Sequence, residues 1–400
     1  MKQIRYALED ITSHIGRNLV FLAQITVSLL LFSVILGQMF HLTKLNNSIH
    51  QTPANKKTYL MFDVGDMDHF MNVTIYQKDF IDRLDQLYTY LSENRNFKSY
   101  SFSECLLRLT DDRLDFSLVS EIDPFEEPYY CGLAINDSFI DYFNLELKAG
   151  EFFKLKDYLD TTDLVPVVAG SNFENFFRLG DIIQSKKDGI QYNIIGFLKN
   201  GSKYYDIKSS SDIIPLDKAL ILPIQSNKAK IQNDFGLFDT IINKTVIITD
   251  NENMLRSIAE KSAELKLYTF DFKSVGEQMA YINEEMNQWT LSLLVFCMII
   301  LFFCIIGMIC NTLQVLNELT RELGVHILCG ATKRSILLRL FFQVSFLILL
   351  PNIFILLIYS VSAITMFTIF ISIFLTIIVM IAPYMKVTNT SMNELLRRNE

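Results

Sequence analysis

Carboxylates crowd one short stretch of the chain, where Glu121, Asp123, Glu126 and Glu127 surround Pro124 and Pro128. Two such groups side by side could exchange protons as general acid and base. No Ser or His supplies a nucleophile setting beside them, so the stretch reads as a solvated acidic loop. Metal chemistry has no better footing. The five histidines are scattered and no Cys/His spacing resembles a ligand set. Cys297, Cys304 and Cys310 fall in an apolar run, Cys329 in a short charged connector, and Cys105 and Cys131 in the polar part of the chain. The last two read as ordinary buried thiols rather than a disulfide. Nucleotide chemistry is excluded on spacing. A phosphate-cradling loop needs Gly-x-x-x-x-Gly-Lys-Ser/Thr, whereas five residues separate Gly324 from Gly330 and Ala331 stands where the Lys belongs. The expectation is a chain with no catalytic residue, no cofactor and no metal of its own.

The elements around these residues explain that poverty. No Asp, Glu, Lys or Arg occurs in 18–43, in 286–317 or in 340–385. A lipid core about 30 Å thick needs roughly 20 apolar helical residues to cross it. The first two runs suffice for one crossing each, and the third for two if the chain reverses near Ser360 to Ser362. The fold class expected is an α-helical membrane protein with four transmembrane helices, one then three, and a large α+β extracytoplasmic domain between the first and second. Boundaries follow from the charges: an N-terminal segment 1–17, helix 18–43, domain 44–285 with a strand-rich middle about 125–235, helix 286–317 with an outer stalk, connector 318–335, helices 336–360 and 362–385, and tail 386–400. The first run exceeds a signal-peptide core and has no Ala-x-Ala-like site after it, so a retained helix is expected.

Orientation comes from the flanks. Lys2, Arg5 and Arg17 precede the first helix; Arg321, Lys333, Arg334 and Arg339 sit around the connector; Lys386, Arg397 and Arg398 follow the last helix. All three segments share one side of a four-pass protein, and excess Lys/Arg marks the cytoplasmic side. Both termini are therefore expected in the cytoplasm of a multi-pass cell-membrane protein, with 44–285 outside. Trp289 and Tyr384 suit interfacial positions, and Pro351 should kink the third helix. The formal charge of −8 leaves no basic nucleic-acid footprint.

Within 44–285 the pattern alternates. Residues 59–64 read as a strand and 77–95 as a helix with Phe80, Ile81, Leu84, Leu87, Tyr88 and Leu91 on one face. Further strands are expected at 114–119, 129–135, 165–169, 192–198, 219–222, 245–249 and 267–272, with a helix at 252–265. That arrangement places one strand–helix–strand unit near each end of the domain. Gly189 is expected to supply the left-handed residue of a hairpin turn. Residues 274–288 run without a breaker into the second membrane helix, as one stiff rod.

The connector Arg321-Glu322-Leu323-Gly324-Val325-His326-Ile327-Leu328-Cys329-Gly330-Ala331-Thr332-Lys333-Arg334-Ser335-Ile336 resembles the signature of FtsX-like permeases. It departs from it at His326–Cys329, where relatives often carry a basic residue. Pro383 and the closing Asn393-Glu394-Leu395-Leu396-Arg397 are similar to the same family. Leu147-Lys148-Ala149-Gly150-Glu151-Phe152-Phe153, Val167–Ser171, Leu179–Ile183 and Tyr192–Leu198 resemble the periplasmic core of MacB-type ABC permeases.

That resemblance implies a permease subunit of a MacB-type ABC transporter. It implies a short coupling helix docking on a separate cytoplasmic ATPase that binds ATP and Mg, with Arg321, Glu322, Leu323, Gly324, Val325, Gly330, Ala331, Thr332, Lys333 and Arg334 as the ATPase-coupling residues. The implied motion is mechanotransmission: the ATPases close and the stalks tilt the outer domains. Other implied partners are a second permease copy or paralogue, an extracytoplasmic adaptor, membrane lipid, and a peptide, lipoprotein or antimicrobial cargo for export. Two alternatives share the layout: an FtsX-like regulator of an extracellular cell-wall hydrolase, and a membrane ligand sensor.

Overall fold

The computed structural model describes residues 2–13, 15–51, 57–66, 68, 70, 74–77, 79–122, 128–186, 189–208, 212–318 and 332–389. Two compact units emerge, one formed by 1–43 with 284–400 and the other by 44–283.

Among the described residues, four helices are long and apolar enough to cross a membrane. They begin with Ile15–Gln51, preceded by the amphipathic helix Lys2–Ser13. The second, Val275–Glu318, runs 44 residues without a break, about 66 Å at 1.5 Å per residue. Its start is fixed by a reciprocal cap: the Glu277 carboxylate accepts from the Ser274 N–H at 2.8 Å, and the Ser274 hydroxyl accepts from the Glu277 N–H at 3.1 Å. The third span divides into Lys333–Leu349 and Pro351–Tyr359. Pro351 has no N–H to give the preceding turn. Beside it the Asn352 amide donates to Ile348 O at 3.3 Å and to the Ser372 hydroxyl of the fourth helix at 2.8 Å. The chain reverses at Ser360, whose φ is 52°, and Ala363–Asn389 follows. Thr365, Thr368, Ser372 and Thr376 recur every three or four residues on its buried face, the kind of small residues that let membrane helices approach closely. Gly307 serves the same end, since a Cβ there would lie 2.7 Å from the Phe21 ring.

The second unit holds two main sheets. Its strands are β1 Thr58–Asp63, β2 Lys98–Tyr100, β3 Phe102–Leu107, β4 Leu109–Thr110, β5 Glu121–Ile122, β6 Pro128–Ile135, β7 Leu147–Gly150, β8 Leu164–Ala169, β9 Ile182–Ser185, β10 Gln191–Leu198, β11 Lys203–Asp206, β12 Asp212–Pro215, β13 Ala219–Pro223, β14 Val246–Ile248 and β15 Phe270–Ser274. A four-stranded antiparallel sheet has the order β15-β1-β14-β2. Helix Phe80–Glu93 lies between β1 and β2 in the chain, and Asn253–Glu264 between β14 and β15. The two strand–helix–strand units thus interleave in one split β-α-β layer. Leu84, Leu87, Phe238, Ile242, Ile247 and Ile258 form its fully buried core.

Everything from β3 to β13 is inserted between β2 and β14. The large sheet has the order β3-β6-β13-β8-β10-β9-β4, with β5 and β7 attached to β6 and β10. Pairs β10–β8 and β13–β6 are parallel. A turn at the buried Ser101 carries the chain from one sheet to the other, and Asn136 holds that turn. The Asn136 side chain accepts from the Ser101 N–H at 3.1 Å and donates to Ser99 O at 3.2 Å. The Ser101 and Thr245 hydroxyls meet at 2.7 Å.

Two expected strands are corrected. Residues 114–119 form a 3-10 turn, Phe116–Leu118, because the Asp115 carboxylate accepts from the Ser117 N–H at 2.8 Å and captures the backbone locally. The strand expected at 267–272 begins only at Phe270. Lys266 is left-handed, and the Leu267 and Tyr268 N–H groups bond back to Ser262, closing the preceding helix. Gly189 has φ 69° in the β9–β10 hairpin. Cys105 and Cys131 are free thiols. Cys105 pairs with Gly132 and Cys131 with Leu106, so the two side chains point to opposite faces of the sheet.

Candidate coupling site

Of the ten residues expected to couple, Arg321, Glu322, Leu323, Gly324, Val325, Gly330 and Ala331 lie outside the described residues. So do Asp123, Glu126 and Glu127 of the acidic loop and the 393–397 motif. Thr332, Lys333 and Arg334 open the third span. The Ser335 hydroxyl accepts from the Thr332 N–H at 3.1 Å, and the Ser335 N–H donates to Thr332 O at 2.9 Å. This fixes where the helix begins.

The ends of four helices come together around that point. Lys333 Nζ donates to Thr388 O, 3.0 Å away in the last turn of the fourth helix, where a cation meets the negative end of the helix dipole. Lys386 Nζ in turn donates to Asn317 Oδ1 at 2.6 Å, near the end of Val275–Glu318. Arg17, near the start of the first span, lies 3.7 Å from Glu318, which also accepts from Gln314 at 2.7 Å. About two turns back along Val275–Glu318, the Asn311 amide donates to Asn18 Oδ1 at 3.4 Å. Beneath this polar ring, Val315, Leu316, Ile336, Leu340 and Val387 form a small apolar cluster. Glu318 and Lys333 are therefore each held by other helices on either side of the segment between them.

The ring partners Arg17, Asn317, Glu318 and Lys386 were missed as a set by sequence reasoning. They were visible only as charges and amides at the ends of apolar runs. What pairs them is the packing of helices that lie far apart in sequence.

Motif residues in the second unit have a structural explanation. Gly150 sits opposite Gly196 on the β7–β10 edge with φ 87°. A Cβ there would lie 2.1 Å from Ile195 O. Gly150 therefore serves close backbone approach between β7 and β10.

A polar bridge links the two sheets. The Lys208 ammonium, just past β11, donates to Met61 O of β1 and to Asn243 O at 2.6 Å, and lies 5.0 Å from the Phe62 ring centroid. Lys244 pairs with Glu104 at 2.8 Å and with buried Asp206 at 3.2 Å, and the Tyr204 hydroxyl donates to Glu104. Burial pushes the Lys208 ammonium down to about 8, partly offset by Asp206, Asp63 and Asp239. The Tyr204 phenol is raised by burial and by its bond to Glu104. Burial also pushes the Cys105 thiol up to about 12, the opposite of an activated nucleophile. Among the described residues no cluster of His, Cys, Asp and Glu could hold a metal.

No family model matches the chain, and no curated protein does. Among solved structures it is similar to the extracellular domain of the noncanonic ABC-type transporter YknZ from Gram-positive bacteria. The identity is 13%, the TM-score 0.33, and the match covers 55% of this chain and 99% of that one. It is also similar to the periplasmic region of MacB from Actinobacillus actinomycetemcomitans, at 14% identity and TM-score 0.35, covering 61% of this chain and 98% of that one.

Proposed function

We propose that this chain is the membrane-spanning permease subunit of a MacB-type ABC transporter, driven by an ATPase on a separate chain. The observation that carries the reading is the uninterrupted helix Val275–Glu318. It joins the α+β unit directly to the segment 319–331, whose two flanks are tied to the other spans. A helix is stiff along its axis because each turn is bonded to the next. Displacement applied at 319–331 would therefore travel along it rather than dissipate in a loop.

In this reading Arg321, Glu322, Gly324, Gly330 and Ala331, with Thr332, Lys333 and Arg334, dock on the ATPase, which holds ATP and Mg. Leu323 and Val325 fill a groove on its surface. In the same reading both termini and this segment are cytoplasmic and 44–285 is outside, an orientation the Lys/Arg-rich flanks support. Two permease copies, identical or related, act together. The work is spent moving the outer domain to export a peptide, lipoprotein or antimicrobial. The spans support a route that avoids the bilayer interior, because 18–43, 286–317 and 340–385 contain no ionisable Asp, Glu, Lys or Arg.

The test is copurification with a candidate ABC ATPase co-expressed with this chain, using Gly330→Pro and a double charge reversal at Glu322 and Arg334. Loss of the complex, with the chain itself still intact in the membrane, is expected. Unchanged assembly and unchanged ATP turnover in both variants would reduce the segment to a plain connector.

A further inference from the structure

The short helix Lys2–Ser13 packs against the third span and, with it, frames an apolar groove of about 440 Å³. Ala7 and Ile11 form one wall, and Phe342, Phe346 and Leu349 the other; Ile353 lies at the far end, beyond the Pro351 break. Ser345 lines the groove too, and its hydroxyl is buried without a hydrogen-bond partner. That is unusual for a serine in an apolar helix, which ordinarily bonds back to its own preceding turn.

We infer that this groove holds one acyl chain of an anionic phospholipid. Three observations converge. The outer wall belongs to a helix long and apolar enough to cross a membrane, so the medium that meets the groove is hydrocarbon. The inner wall belongs to an amphipathic helix whose Arg5, Glu9 and Thr12 are exposed while Ala7 is buried, the pattern of a helix lying in the interface. The two framing helices, Lys2–Ser13 and Lys333–Leu349, carry five basic residues against two acidic ones. That excess favours an anionic headgroup over a zwitterionic one.

The polar features also fall in the order a phospholipid requires. Lys333 and Arg334 begin the third span, Arg339 follows with its guanidinium over the Tyr6 ring at 5.3 Å, and Ser345 comes six residues later. At 1.5 Å per residue Ser345 lies about 9 Å deeper than Arg339. A phosphate at the charged end thus leaves the Ser345 hydroxyl to donate to an ester carbonyl, and the tail runs on past Leu349 toward Ile353. The inference needs only that the spans cross a bilayer; it does not depend on the permease reading.

The test uses the full chain in nanodiscs of equal phosphatidylglycerol and phosphatidylcholine, transferred to detergent and read by native mass spectrometry. One retained phosphatidylglycerol is expected. Filling the groove with Ser345→Phe and Leu349→Trp together should cut that retention by about tenfold or more, since each displaced methylene removes a buried contact. Phe303→Trp, on an exposed face of the second span, should leave it unchanged. Size-exclusion profiles matching the wild type certify that each variant is folded. Equal retention in the filled and unfilled proteins would overturn the site. Retention of phosphatidylcholine as readily as phosphatidylglycerol would overturn the anionic assignment.

Discussion

Replacing Lys208 by Met should flatten the dependence of the second unit's stability on alkaline pH. The ammonium sits against Met61 O and Asn243 O, with Asp206 on its own segment, Asp63 on β1, and Asp239 and Lys244 on the helix Phe235–Asn243 and its cap. Burial outweighs the three carboxylates and lowers its folded value to about 8, from an ordinary 10.5. Below pH 8 the group is charged in both states and the cost of burying the charge is present in full. Between pH 8 and 10.5 the folded chain sheds the proton while the unfolded chain keeps it, so stability rises with pH. From pH 7 to pH 9 the folded state loses its proton about one unit beyond the midpoint, a gain of about 1.4 kcal/mol. Lys208→Met has no proton to lose and should lack that increment. The Cys105 thiol, raised to about 12, and the raised tyrosines work in the opposite direction above pH 9. Comparing wild type with variant cancels them. At pH 7 the two proteins should differ little, because removing a buried charge is offset by two carbonyls left without a donor. Pulse proteolysis in urea on the full chain in nanodiscs, scored by cleavage within 58–274, measures both slopes. Parallel slopes for wild type and variant would refute the assignment of a buried, destabilised ammonium.

Four other substitutions probe the frame. Gly150→Ala forces a left-handed alanine whose Cβ lies 2.1 Å from Ile195 O, and should cost more than the roughly 1–2 kcal/mol of a left-handed residue alone; the readout is loss of protease resistance of β7 and β10. Asn136→Ala removes the acceptor for the Ser101 and Phe139 N–H groups and the donor to Ser99 O, and should cost about 3 kcal/mol in urea unfolding. At the helix ends, Leu340→Ala, at a side chain 2% exposed, should destabilise the first unit by about 2–5 kcal/mol. Lys386→Met, which removes an exposed bond to Asn317, should cost under about 1 kcal/mol; thermal unfolding in detergent ranks the two.

The apolar runs and the helix face Phe80–Leu91 were legible because their signal is periodic and local. Apolar residues at helical spacing need no partner to be recognised. The strand–helix–strand units at each end of the domain were legible for the same reason. Their joining into one sheet was not, since β1 bonds to β14 across nearly the whole inserted segment. Short strands such as β2 and β7 carry too few residues for alternation to register. Residues 114–119 show the opposite failure: they look like a strand, yet a single carboxylate, Asp115, folds them into a turn.

Charge patterning fared differently at the helix ends. Lys333, Lys386, Arg17 and Glu318 were readable as flanks, where only their sign mattered. In the structure they are donors and acceptors with assigned partners, each drawn from a different helix. Exposed pairs of this kind contribute little energy singly, so they cannot be what assembles the helix ends. The apolar cluster of Val315, Leu316, Ile336, Leu340 and Val387 supplies the attraction, and the polar ring selects among the helix registers that this cluster alone would tolerate. A pattern that stabilises weakly but discriminates between alternatives leaves almost no trace in composition, because its meaning lies in which residues meet and not in which residues are present.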